Sequence, residues 1–376
     1  MWRYLYQMRV ESLLKILFIS ILNISFSHAS ELINLRVNRM QNPQGIIRNG
    51  QFSWQISSEC NDVHQLAYHI KVASTPEGIH GGPTLMWDSE RRESTDMVQI
   101  FYQGRRFPYE STIYWQLEVW LRNDEHLQSP IQKIQTGRKG SEWNANPVTK
   151  ADEPHDYFYY LRWLHTLQMS QNDSGELFSP FPGDSLAIPI DSVAGVLYSI
   201  YKDEGDLKSL YDYYHMARRW MMYKCERDST ISSQLITLMT EMAQCLNLQA
   251  DVLEYNRMHG DSTIYEPFWL YTHEPAWCMG AIKQLSSSIA YNRVEITIPS
   301  LSSLEKGAIS HKCPYGTIRS EWSREEGGNI SWEIQLPVGV QANVIYPKGY
   351  ADDEGEQSIV LGSGGWILRL LPLVEE

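Results

Sequence analysis

The sequence has few cysteines, and none of them lie close together. Cys60, Cys225, Cys245, Cys278 and Cys313 are scattered with no C-x-x-C pair, which excludes a structural zinc site of the usual ligand spacing. Five is an odd number, so a complete intrachain disulfide framework is excluded as well, and single buried thiols are expected. Positive charge is also short. Lys and Arg number 32 against 45 Asp and Glu, a net charge of -13, and no stretch forms the basic patch that nucleic acid or an anionic membrane surface demands. No apolar run reaches the roughly 20 residues that cross a bilayer, so no membrane span is expected. The words G-x-S-x-G and H-E-x-x-H do not occur, and there is no internal repeat or low-complexity tract. Gly362-Ser363-Gly364-Gly365 is followed by no helical pattern and reads as a hairpin turn rather than a phosphate cradle. No metal or cofactor is implied.

Aromatic residues are plentiful. The chain has 13 Trp and 22 Tyr in 376 residues with a hydrophobic share of 43%, ample for core packing and for flat faces against sugars. The length sets a prior of two or three domains. Residues 1–29 read as a cleavable signal peptide: Arg9 and Lys15 precede the apolar run Ile16 to Leu22, and Ser27-His28-Ala29 supplies small residues before a cleavage point. Met8 offers an alternative start with a more typical n-region, and a secreted or periplasmic location follows.

Residues 31–137 show short alternating segments broken by turns, such as Phe52 to Ile56, Ala67 to Val72, Thr112 to Trp120 and Ile131 to Ile134. Their spacing predicts a β-sandwich with Trp115 and Trp87 in its core. After a polar linker, Gly137 to Pro154, apolar recurrence at three and four residues predicts helices over about 156–170, 187–203, 206–224, 231–247 and 275–290, with Asp206 as an N-cap. Leu207, Leu210, Tyr214, Ala217 and Met221 form a stripe expected to be core. From 292 to 376 strands return, at Arg293 to Ile298, Gly316 to Trp322, Ile330 to Leu336 and Gly365 to Leu368, predicting a small antiparallel sheet domain.

One carboxylate stands out. Glu266 sits in Thr263-Ile264-Tyr265-Glu266-Pro267-Phe268-Trp269, with His273 and Glu274 just beyond. Aromatic faces around a carboxylate suit a sugar-cleaving site, where the carboxylate deprotonates a water, but that chemistry normally needs a second carboxyl group to protonate the leaving oxygen. Gly183-Asp184-Ser185-Leu186 also spells the word of the GDSL esterases, with Asp212 and His215 as a D-x-x-H. That nucleophile normally follows a strand with its Asp and His far downstream, whereas Phe181-Pro182 precedes it here. The sequons at Asn172 and Asn329 matter only in a glycosylating host.

The order of modules, and the words within them, resemble the bacterial alpha-L-rhamnosidases of glycoside hydrolase family 78. The N-terminal stretch is similar to that family's fibronectin-like domain through Phe52-Ser53-Trp54, Gln65 to Ala73, Trp87-Asp88-Ser89, Tyr102-Gln103-Gly104 and Tyr114-Trp115-Gln116-Leu117. The C-terminal stretch is similar to its terminal β domain through Pro314-Tyr315-Gly316-Thr317-Ile318, Trp332-Glu333-Ile334 and Ala342-Asn343-Val344. In the middle, Phe158 to Leu164, Gly183-Asp184-Ser185 and Thr263 to Glu266 look like pieces of its (α/α)6 barrel, the six-hairpin glycosidase fold.

The resemblance implies hydrolysis of terminal alpha-L-rhamnose on polysaccharides or glycosides, with inversion and with Glu266 as general base. Asp184, Trp269 and His273 are the candidate substrate-binding residues; Asp184 reads first as the cap of the following helix, and Trp269 and His273 equally as ordinary packing. Pro182 stands where the family usually has Trp, and the family's acidic word carrying the general acid is missing between Thr136 and Phe158. The acid therefore has no assigned residue, though Glu274, Asp184 and Asp191 are available. At about 11–12 residues per helix plus turns, the helical stretch over 155–291 holds only about half a toroid. A shortened member follows, in which a second copy or partner chain is expected to cover exposed apolar helix faces; a catalytically inactive sugar-binding or structural remnant is the alternative reading.

Overall fold

The structure is a computed structural model, and it describes residues 30–45, 50–137, 157–178, 189–227, 233–258, 281–298, 304–325 and 327–373. The signal stretch lies outside them.

The N-terminal module has, among the described residues, nine strands: β1 (Glu31–Val37), β2 (Gln51–Ser57), β3 (Gln65–Ala73), β4 (Leu85–Asp88), β5 (Arg92–Glu93), β6 (Ile100–Phe101), β7 (Thr112–Leu121), β8 (His126–Gln128) and β9 (Gln132–Gln135). One sheet has the order β1-β2-β6 and the other β4-β3-β7-β8, with β5 paired to β3 and β9 to β7. Strand β7 alternates strictly, burying Ile113, Trp115, Leu117, Val119 and Leu121 while the residues between them stay half-buried, as expected of a sheet with one face on the core. Phe52 of β2 meets Trp115 of β7 at 4.7 Å between ring centres, so the sheets close on aromatic contacts. Trp115 is core as expected; Trp87 sits at the edge, half-buried, stacking on Phe52 at 6.0 Å.

Among the described residues five helices follow: α1 (Tyr157–Ser170), α2 (Val193–Glu204), α3 (Leu207–Arg227), α4 (Ser233–Cys245) and α5 (Gln249–Met258). They enclose their own apolar core, and the expected α3 stripe is part of it, with Leu210, Tyr214, Ala217 and Met221 fully buried. Asp206 caps α3 as expected, accepting the Ser209 backbone N–H at 3.0 Å. The helix expected over 275–290 is not formed in its described part, where Ile282–Gln284 is a strand. Ser286, Ser287 and Ser288 make a turn there, because short hydroxyl side chains compete for backbone hydrogen bonds. Helix α5 escaped the sequence reading because it buries only Val252 and Tyr255.

The C-terminal strands are β10 (Ile282–Gln284), β11 (Arg293–Thr297), β12 (Lys306–Cys313), β13 (Gly316–Arg324), β14 (Ile330–Leu336), β15 (Gln341–Ile345), β16 (Tyr350–Ala351), β17 (Ser358–Leu361) and β18 (Gly364–Pro372). They form two sheets, β10-β11-β15-β17 and β12-β13-β14-β18-β16. The expected purely antiparallel module is corrected: β11 and β15 pair in parallel, and the long excursion through β12 to β14 supplies the crossover that parallel pairing needs.

The two β modules share one hydrophobic core although more than a hundred residues separate them in sequence. The turn at Gly362 to Gly365 shows how. It joins strands of different sheets and is no hairpin, and Ser363 docks on the N-terminal module, its Oγ donating to Val63 O at 2.8 Å and its carbonyl accepting Asp62 N at 2.7 Å. A Cβ at Gly362 would come within 2.3 Å of Asp62, and one at Gly364 within 2.1 Å of Asn61, so the glycines serve close approach.

Among the described residues, no helix is long and apolar enough to cross a membrane.

Candidate functional site

Glu266, Asp184, Trp269 and His273 lie in residues 179–188 and 259–280, outside the described residues, as does Glu274. Three other candidates, Asp191, Asp212 and His215, are placed. Asp191 is exposed and pairs with Lys224 at 3.0 Å. Asp212 pairs with Lys208 one turn before it on α3, while His215 is exposed on the same helix.

What the described residues do build is a polar cleft of about 400 Å³ where all three modules meet. The C-terminal end of α2 is its hub. Gly205 ends the helix in the left-handed region at φ 69°, returning its N–H to the carbonyls of Ile200 and Tyr201, the usual glycine solution at a helix end. From the N-terminal module, the Arg39 guanidinium donates to the Glu204 carboxylate and to the Glu204 carbonyl, which the helix leaves without an internal partner. The same guanidinium lies 4.0 Å above the Tyr157 ring. The Tyr157 hydroxyl donates to Asp206, which also accepts from the Ser209 backbone and hydroxyl. Burial, and then the Asp206 charge, raise the Tyr157 pKa far above its ordinary value, so the phenol stays a neutral donor.

The C-terminal module grips the same helix end. Lys202 Nζ donates to Ser286 O at 2.8 Å and Ser288 O at 2.7 Å, while Lys202 O accepts Ala290 N at 2.7 Å and Gln284 Nε2 at 2.8 Å. Next to it, burial and then the Glu204 charge push the Asp203 carboxyl up to about 7.

The cleft wall on β1 and β2 is a fixed relay of amides. Gln41 donates to Asn34 at 2.8 Å, Asn34 to Gln55 at 2.7 Å, and Gln55 to Pro314 O at 2.7 Å. A bulge between Ile33 and Arg36, with Asn34 at φ 51°, turns these side chains toward the cleft. Among the described residues Glu204 is the one carboxylate in the lining, and Arg39 holds it, so the described lining offers no pair of carboxyl groups for hydrolysis. It can bind a polar ligand. The sequence reading missed it because its lining is drawn from residues 34 to 55, 98–99, 204–205 and 312–317; the one legible signal was a pair of arginines, Arg36 and Arg39, in an acidic chain.

Two family models match the terminal modules: the Rha78A-like N-terminal immunoglobulin domain over residues 32–139, and the bacterial alpha-L-rhamnosidase C-terminal domain over residues 286–360. An alpha-L-rhamnosidase of Formosa agariphila is 33% identical over 96 residues, covering 25% of this chain and 10% of that protein. One from Alteromonas sp. is 32% identical over 105 residues, covering 27% and 11%. The matches thus span about a tenth of these relatives' length. In fold, the chain resembles the alpha-L-rhamnosidase of Dictyoglumus thermophilum, with a TM-score of 0.71 at 8% identity over 90% of this chain and 99% of that one. It also resembles the Aspergillus terreus enzyme, with a TM-score of 0.58 at 9% identity over 91% and 99%.

Proposed function

We propose, on the premise that both terminal modules place the chain in the bacterial alpha-L-rhamnosidase family, that it is a glycoside hydrolase acting on terminal alpha-L-rhamnose of polysaccharides or glycosides. The observation that carries this reading is the pair of family matches flanking a helical middle. That middle, over 155–291, is read as part of an (α/α)6 toroid between an N-terminal module over 31–137 and a C-terminal one over 292–376.

In this reading Glu266 takes a proton from the water that attacks the anomeric carbon, with inversion, while Asp184, Trp269 and His273 line the rhamnose subsite. No cofactor takes part. The missing acidic word leaves proton delivery to the leaving oxygen unsupported, and a general acid is worth about 10²- to 10⁴-fold in rate, so slow turnover follows. Export by the N-terminal signal would put the protein beside such carbohydrates.

The test is turnover of an aryl alpha-L-rhamnoside by the unaltered chain and by Glu266→Gln. The reading expects measurable release that drops at least about 100-fold in the variant. Equal, near-zero rates in both would instead favour a non-catalytic sugar-binding protein, a second reading supported by the junction cleft, where the one carboxylate among the described lining residues is locked by Arg39.

A further inference from the structure

We propose that the cleft at the junction of the three modules is a binding site for an acidic saccharide, a sugar unit whose carboxylate is held between Arg36 and Lys312. The argument starts from a surplus of donors. Arg36, Arg39 and Lys312 line the cleft against one carboxylate, Glu204. Glu204 is consumed by Arg39, its side chain meeting the guanidinium and its carbonyl accepting a second bond. Arg36 and Lys312 have no ion-pair partner among the described residues; Arg36 is half-buried, and Lys312 is exposed where the cleft opens to solvent. The Gln99 Nε2 in the same wall is buried with no hydrogen-bond partner among the described residues. The wall amides that could have accepted from these groups are committed to one another through Asn34, Gln55 and Pro314. An anion answers the two uncommitted cations, and a planar carboxylate matches the fork of an arginine.

Burial, and after it the charge of Arg39, depress the Arg36 pKa, which is the electrostatic cost that a bound anion relieves. The chain as a whole is strongly acidic, so a locally cationic concavity is not a general property of its surface. A volume of about 400 Å³ exceeds what a bare oxyanion fills and falls in the range of about 300–1,000 Å³ of small-molecule sites. Ser53 and Gln51 add polar groups suited to ring hydroxyls. The choice of a sugar scaffold rests on the carbohydrate reading above; the choice of an anion does not.

The test is calorimetric or NMR titration of the full chain with glucuronate, glucose, acetate and inorganic sulfate, glucuronate and glucose differing only in the carboxylate. The expected result is that glucuronate binds and glucose binds at least about tenfold more weakly, since charge-assisted hydrogen bonds are lost. Acetate and sulfate bind weakly. Arg36→Gln lowers glucuronate affinity about tenfold with an unchanged melting temperature. Should Arg36→Gln unfold, Lys312→Gln at the hairpin end of β12 carries the same comparison. Equal binding of glucose, affinity unaltered by the variant, or no glucuronate binding overturns the proposal. Acetate or sulfate binding as tightly as glucuronate overturns its saccharide part. Rhamnoside turnover without glucuronate binding would overturn this inference alone, and glucuronate binding without turnover the hydrolase reading alone.

Discussion

Replacing Arg39 by Ala removes the clamp that ties the N-terminal module to the end of α2. Three contributions are lost. The ion pair with Glu204 is only partly screened, its side chains being 22% and 26% exposed, which places it between a surface pair at about 0–1 kcal/mol and the 3–5 kcal/mol of breaking a buried one. The bond to the Glu204 carbonyl adds about 1 kcal/mol. Cover of the Tyr157 ring at 4.0 Å adds about 0.5–1 kcal/mol. The sum is about 3 kcal/mol, or a factor of roughly 150 in the opening equilibrium of the junction at about 1.4 kcal/mol per decade. Hydrogen exchange across residues 200–210 reads it directly, since the amides of Gly205, Asp206 and Leu210 all bond within this corner. Protection of those amides should fall by about two decades while that of β7 stays unchanged. If Arg39→Ala leaves exchange at residues 200–210 as in the unaltered chain, the clamp is not energetic and the account of the junction fails.

Three further outcomes follow from the same corner. The Asp203 carboxyl titrates at about 7 against an ordinary 3.8, so the folded state holds its proton where the unfolded state has lost it. Stability from this group is full below about 3.8 and declines as pH rises through about 7; Asp203→Asn should raise the unfolding free energy at pH 8, by up to about 4 kcal/mol, and change little at pH 4. Gly205→Ala should cost about 2 kcal/mol in urea unfolding, because φ is +69° and the new Cβ would lie 2.7 Å from Gln99 Nε2 and 3.2 Å from the Ala290 Cβ; a neutral result would mean the helix end yields freely. Asp206→Ala removes the α3 cap and the acceptor of Tyr157, and should lower stability by about 1–2 kcal/mol while Asp206→Asn recovers part of it.

Local periodicity made much of this fold legible. The alternation of β7, the three-and-four recurrence of Leu210, Tyr214, Ala217 and Met221, and the cap at Asp206 each express a rule that acts within one element. Where a rule acts between elements the sequence was silent. The parallel pairing of β11 with β15 depends on a crossover, and Gly362 and Gly364 are explained by Asp62 and Asn61 about three hundred residues away. The stretch beginning at Ile282 misled because a few apolar residues followed by serines fit a short helix as well as an edge strand. The junction cleft was illegible for the same reason: Arg36, Gln99, Glu204 and Lys312 become neighbours only after the β modules merge their cores. Glu266 was singled out by its aromatic surroundings and a family word and lies outside the described residues, while Arg39 carried no signal beyond its charge.

The measurement that bears most directly on the proposed activity is proton NMR of the sugar first released from an aryl alpha-L-rhamnoside. Single displacement by a water that Glu266 deprotonates inverts the anomeric carbon, so beta-L-rhamnose should appear first and equilibrate to the alpha form afterwards. Initial release of the alpha anomer, or no release above the buffer rate, would contradict the account.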